Sequence, residues 1–188
     1  MAFVTNAQGN VISFADSFDC RDIDQRFFEA NEINFEDAAS PAFGSLDEYI
    51  DALCEKSTDR VLFKLKSSNW WRNYNSYVGN SPSSLEALPD VNPDLIIARQ
   101  QDFSDACVYY TLKEYLIPKV GDFGNPESQD VAKIKYYEQK FQDLFDELTA
   151  ITDWYDYDND GSIQLDEKMT TFRKTRRTRG QRYVQRIR

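Results

Sequence analysis

Residues 92–118 read NPDLIIARQQDFSDACVYYTLKEYLIP, and residues 128–152 read SQDVAKIKYYEQKFQDLFDELTAIT. The first stretch opens with three helix-start signals: Asn92 as N-cap, Pro93 at the first helical position, and Asp94 at the positive end of the helix dipole. The spacing predicts a helix from Asn92 to about Ile117, ended by Pro118. Ile96, Phe103, Cys107 and Tyr110 form one stripe, widened by Val108, Leu112, Tyr115 and Leu116. In the second stretch Ile134, Tyr137, Phe141, Leu144, Phe145, Leu148 and Ile151 recur at helical spacing. A connection of about ten residues, with Gly121, Gly124 and Pro126, makes the two helices antiparallel neighbours. Their aromatic side chains read as core.

Upstream, Ser45 and Glu48 fit a capping box, followed by Leu46, Ile50, Leu53 and Cys54 on one helical face. Thr58 to Lys66, with Val61, Leu62 and Leu65, either continues that helix or forms a second one. Trp70-Trp71 end the regular pattern, and residues 73–91, with Gly79-Asn80 and Ser81-Pro82-Ser83-Ser84, read as a long polar loop. At the start, Phe3-Val4 and Val11-Ile12-Ser13-Phe14 flank a turn at Gln8-Gly9-Asn10, a hairpin signal. Residues 15–44 hold Phe18, Phe27, Phe28, Ile33, Phe35 and Phe43 without a clean period, and read as an extended arm with one short helix. The expected fold is mainly α: a small helical bundle with two long antiparallel helices, an N-terminal β-hairpin and extended arm (1–44), and a bundle core (45–155). An EF-hand-like loop (156–167) and a basic C-terminal tail (168–188) complete it.

At 188 residues, 41% of them hydrophobic and 14% aromatic, the chain can bury one core with extensions. It has no histidine, which removes Ser/His and Cys/His nucleophilic machinery and every His-containing zinc site. Cys20, Cys54 and Cys107 lie far apart without metal-ligand spacing, so they read as reduced, buried thiols. Met1 to Asn10 carries no apolar signal-peptide run, and no stretch approaches the length of a membrane span, so no membrane partner is expected. No catalytic motif is present and the chain is expected not to be an enzyme. Carboxylate-based hydrolysis is a distant alternative, since 32 Asp and Glu are available.

The net charge is −10, with 22 basic and 32 acidic residues. Nine of the basic residues fall within 168–188, which has no acidic one; the remaining 13 against 32 leave a body of −19. An acidic body with a strongly basic end is a device for meeting a charged partner.

Residues 156–167, DYDNDGSIQLDE, satisfy the EF-hand calcium loop. Asp156, Asp158 and Asp160 stand at loop positions one, three and five and Gly161 makes the sharp turn at six. Ser162 offers its carbonyl at seven, Ile163 is the apolar residue at eight, and Glu167 closes the site at twelve. Alternate residues of such a loop point inward and bring hard oxygen ligands to a hard cation, Ca²⁺ or Mg²⁺. The helix before the loop is expected to serve as the incoming helix, while Lys168 to Arg179 offers only Met169 and Phe172 as anchors for an exit helix. Three readings follow: a structural Ca²⁺ or Mg²⁺ site, an acidic turn held by basic residues of a neighbour, or a calcium switch. Without metal, Asp156, Asp158, Asp160, Asp166 and Glu167 would repel one another.

The basic tail begins with Lys168 and continues through Arg173, Lys174, Arg176, Arg177 and Arg179. It can hold phosphates by charge and reach alone, or stay solvated. Its last stretch, Arg182-Tyr183-Val184-Gln185-Arg186-Ile187-Arg188, mixes aromatic and β-branched residues with charge as an edge strand does. That suits addition to a partner's sheet or insertion between partner subunits, with arginines meeting carboxylates.

The stretch from Asp94 to Pro118, the helix from Lys133 to Leu148 and the helical pattern from Ser45 to Lys66 together resemble the head-to-tail adaptor (connector) proteins beneath the portal of tailed bacteriophages. The resemblance covers roughly residues 45–155. Trp154-Tyr155-Asp156-Tyr157-Asp158, the acidic Gly loop and the Arg-rich end also look like virion neck proteins. The resemblance implies a structural virion protein in a dodecameric ring, made in the host cytoplasm and located in the neck between head and tail. The ring would bind the portal above and a stopper or tail-terminator component below, with transient DNA contact in its channel. Portal docking would fall to Arg173, Arg176, Arg177, Arg179, Arg182, Tyr183, Val184, Arg186, Ile187 and Arg188. The long arm 1–44 and the EF-hand-like loop depart from a minimal adaptor. The rival classes are a calcium-binding EF-hand-like protein and a nucleic-acid-binding protein acting through its tail.

Overall fold

The computed structural model describes residues 3–38, 43–78, 84–121, 123 and 128–163. The chain begins with the expected hairpin, β1 (Val4–Thr5) antiparallel to β2 (Val11–Ser13). Asn6 shapes the turn by accepting the backbone N–H groups of Gln8 and Asn10 on its Oδ1. Gly9 takes φ +86°, a conformation that side chains disfavour. Phe3 and Phe14 lie 4.6 Å apart between ring centres, and both reach Phe103, so the hairpin plugs into the bundle.

The arm that follows is helical rather than extended. α1 (Ser17–Ile23) and α2 (Gln25–Ala38) meet at Asp24. Asp16 and Asp19 form a reciprocal capping box for α1. Asp24 ends α1 and starts α2: its Oδ1 accepts the N–H of Phe27, while its Oδ2 accepts Lys133 Nζ and Tyr137 OH, each at 2.7 Å. Phe14, Cys20, Phe27 and Phe28 are buried in the same core as the bundle. The arm is therefore part of the core.

α3 (Leu46–Ser67) is one continuous helix of 22 residues. Ser45 Oγ accepts the N–H of Glu48 as expected, but Glu48 reaches back to the N–H of Gly44, one residue earlier than a capping box requires. Trp70 and Trp71 do not end the pattern. They lie in α4 (Asn69–Tyr77), capped by Ser68, so helix replaces the first part of the expected 73–91 loop. Trp71 Nε1 donates to Pro89 O, fixing the return of the chain after the segment 79–83.

The helix expected from Asn92 starts later. Asn92 caps, through the N–H of Asp94, only a single 3₁₀ turn (Pro93–Leu95). The backbone then extends, Arg99 takes φ +54°, and α5 runs over Gln100–Thr111. Nor does the helix stop at Pro118. A π-helical turn (Leu112–Leu116), closed by Ile117 N–H to Leu112 O, widens the ladder by one residue and leads into α6 (Ile117–Val120). The wide turn re-registers the bonds ahead of the proline that cannot donate one.

α7 (Gln129–Ile151) spans the expected stretch, with Ser128 as N-cap and Thr152 as C-cap. It is antiparallel to α5: Arg99 pairs with Glu147, Tyr110 meets Phe141 and Lys113 meets Glu138, so one number rises as the other falls. α5 lies between α3 and α7, with Phe103, Ala106, Cys107, Val108, Leu112 and Leu116 fully buried. Thr111 Oγ1 bonds Ser57 Oγ at 2.6 Å across the α3–α5 seam, satisfying buried hydroxyls. The protein is mainly α-helical with one small two-stranded hairpin. Among the described residues, no helix is long and apolar enough to cross a membrane.

Candidate metal centre

The acidic loop starts from an anchored base. α7 ends where Thr152 takes φ +53°, with its N–H bonded to Leu148 O. Trp154 then turns back into the core, fully buried, and its Nε1 donates to the same Leu148 carbonyl at 2.7 Å. Its ring lies 4.8 Å from Trp70 and 4.7 Å from Phe103. Tyr155 pairs antiparallel with Ile96. Around that bridge Trp154 O accepts the N–H groups of Ile97 and Ala98, and Asp156 N–H reaches Leu95 O. These bonds draw residues 95–98 out of the helix that their sequence predicted.

α7 therefore does not run directly into the loop as an incoming EF-hand helix would. A left-handed residue and an extended segment intervene. The described part of the loop, residues 156–163, nevertheless turns at Asn159 and Gly161 around the Asp156 carboxylate. Asp156, 1% exposed, accepts on Oδ1 from Asn159 N–H at 2.7 Å and Asp160 N–H at 3.3 Å, and on Oδ2 from Gly161 N–H at 2.8 Å. Asn159 and Gly161 take φ +59° and +84°. Asp160 Oδ1 accepts both the N–H and the hydroxyl of Ser162. Carboxylate oxygens of Asp156, Asp158 and Asp160 converge to within 4.8 Å of one another. Hard, anionic oxygens at this spacing fit Ca²⁺ or Mg²⁺ in donor type. Glu167 lies outside the described residues, as do the docking candidates Arg173, Arg176, Arg177, Arg179, Arg182, Tyr183, Val184, Arg186, Ile187 and Arg188.

Sequence reasoning missed the collar that holds the loop. Tyr157, between two of the acidic positions, accepts Trp70 Nε1–H at 2.6 Å and lies 4.6 Å from Tyr74. Its signal was the aromatic density of residues 154–157, without an indication of where those rings go.

Burial raises the pKa of several phenols. Tyr155 is pushed up to about 12 by burial, against a partly compensating bond with the Asn92 backbone. Tyr157 moves up for the same first reason, and Tyr137 through burial and its bond to Asp24. Unfolded tyrosines titrate near 10.0, so above that pH the folded state holds more protons than the unfolded chain. The stabilisation is complete below pH 10 and is lost as pH climbs towards the folded values. We expect the urea midpoint to fall between about pH 10 and pH 12 while Tyr155→Phe flattens the fall. A midpoint independent of pH over that range would contradict the burial assigned to these phenols.

No protein family, curated protein or solved structure matches this chain.

Proposed function

We propose that this chain is a structural adaptor subunit of a tailed-phage neck. It assembles as a ring under the portal, joins the capsid to a stopper or tail component, and surrounds the DNA channel. The observation that carries the reading is the charge division of the chain across an anchored junction. A helical body of −19 up to residue 167 is followed by a +9 segment. The junction, residues 154–161, is tied to the core by Trp154, the Ile96–Tyr155 bridge and the buried Asp156. An acidic channel wall repels passing DNA, and an arginine-rich segment suits carboxylates on a partner ring. The sequence resemblance over 45–155 points the same way.

A second reading concerns the loop itself and is favoured by the converging oxygens of Asp156, Asp158 and Asp160. In it the loop is a structural Ca²⁺ or Mg²⁺ site that stiffens the junction from which the basic segment departs.

Light scattering of the full chain, alone and with its cognate portal, tests the adaptor reading. We expect a ring, or a monomer that becomes a ring on the portal, and complete loss of portal binding when residues 173–188 are deleted. A monomer that ignores the portal overturns the proposal. Steeply salt-dependent DNA binding through the same residues would then favour a nucleic-acid role.

A further inference from the structure

We propose that Cys20 and Cys54 form a modification site: an intrachain disulfide that closes when the protein meets a disulfide oxidant, stapling α1 to α3. The two sulfurs come from different helices, 34 residues apart in sequence, and lie 3.5 Å from each other. Both residues are fully buried and both are free thiols. A disulfide needs its sulfurs about 2 Å apart, so bonding asks for a shift of roughly 1.5 Å, within the reach of a short helix.

Cys54 also has a second neighbour. Cys107 Sγ donates to Cys54 O at 3.4 Å and touches Thr58 Oγ1 at 3.5 Å. Location decides between the two. Cys107 lies in the middle of α5 between fully buried Phe103, Ala106, Val108 and Thr111, so exposing it requires separating the core helices. Cys20 lies on α1, a helix of seven residues whose Phe18 is 63% exposed. Local opening draws on short elements with one face in solvent, so α1 opens more readily than the central helix α5. Desolvation pushes the Cys107 thiol well up. The Cys54 thiol is also raised: its bond with Cys107 lowers it, but contact with Cys20 and burial outweigh that. Neither of these two starts the exchange.

The chemistry then runs from Cys20. When α1 opens, Cys20 loses its proton to solvent, and the thiolate attacks one sulfur of oxidised glutathione. The glutathione S–S bond breaks, a Cys20–glutathione mixed disulfide forms and one glutathione thiolate leaves. While α1 is still open, Cys54 passes its proton to water and attacks the Cys20 sulfur; the second glutathione thiolate leaves and takes up a proton, and α1 then closes over the new S–S bond. Two protein thiols are oxidised to one disulfide, and one glutathione disulfide is reduced to two thiols. The product closes the loop that contains the rest of α1, α2 and the start of α3.

The test uses the full-length folded protein incubated with oxidised glutathione, quenched in acid and analysed by intact mass and non-reducing peptide mapping. The expected product is lighter by about 2 Da, the mass of two hydrogens, and joins the Cys20 and Cys54 peptides without retained glutathione. Its melting temperature rises by roughly 10 °C and returns on reduction with dithiothreitol. Cys107→Ala should give the same linkage, and Cys20→Ser should give none. A Cys54–Cys107 linkage overturns the proposal. So does a Cys20–glutathione adduct that never closes, or a folded wild type that stays unmodified while the urea-unfolded chain reacts.

Discussion

Truncation of Trp154 to alanine is expected to destabilise the protein by about 4 kcal/mol, the upper range for removing a large aromatic side chain from a core. Trp154 is fully buried and packs against Trp70, Phe103 and Tyr155. It also donates to Leu148 O near the C-terminal end of α7, a carbonyl that accepts the Thr152 N–H as well. The residue thus fills the space between α4 and α5 and closes the last turn of α7. Whole-domain stabilities are of the order of 5–15 kcal/mol, so this one change should remove roughly a quarter or more of the total. Urea unfolding followed by tryptophan fluorescence and circular dichroism gives the value. A loss below about 1 kcal/mol would show that residues 152–163 can detach without disturbing the bundle.

Asp156→Ala should have two separable effects. In the absence of metal it removes a buried acceptor of three backbone N–H groups, which costs about 2 kcal/mol. In the presence of metal it removes one of three converging carboxylates. Terbium stands in for calcium here, because Trp154, Tyr155 and Tyr157 adjoin the loop and can sensitise its emission. For the wild type we expect half-saturation at roughly 10⁻⁵ to 10⁻³ M, the range of moderate calcium loops, with displacement by Ca²⁺. Asp156→Ala, and Asp156→Asn which keeps the shape without the charge, should weaken binding at least tenfold. Equal emission from wild type and Asp156→Asn would sink the cation reading, leaving an acidic turn held by its own backbone.

The helix α7 was legible because its apolar face repeats at helical spacing without interruption. Other elements were hidden by contacts that no local pattern carries. Asn92, Pro93 and Asp94 cap a 3₁₀ turn with the same chemistry that caps an α-helix. What decides between them is Trp154, nearly sixty residues later, whose carbonyl takes the N–H groups of Ile97 and Ala98. Pro118 reads as a stop, yet the π turn before it accommodates the missing donor. In place of the one short helix expected in the arm there are two, because α1 is short and Asp24 interrupts the pattern between them. Within the site, the spacing of Asp156, Asp158 and Asp160 was readable because the loop's ligands are nearly consecutive. The aromatic collar was not, because Trp70 and Tyr74 come from α4.

The short pairing between residues 95–98 and 154–156 also determines how the protein carries tension. A pull applied at residue 163 reaches Asp156 and its three backbone bonds first, and then the antiparallel bridge. From there the force divides: part passes through Leu95–Ala98 into α5, and part through the Trp154 side chain into the rings of α4 and α5. The load is thereby shared between two helices, while the Trp154 bond to Leu148 O ties the last turn of α7 into the same path.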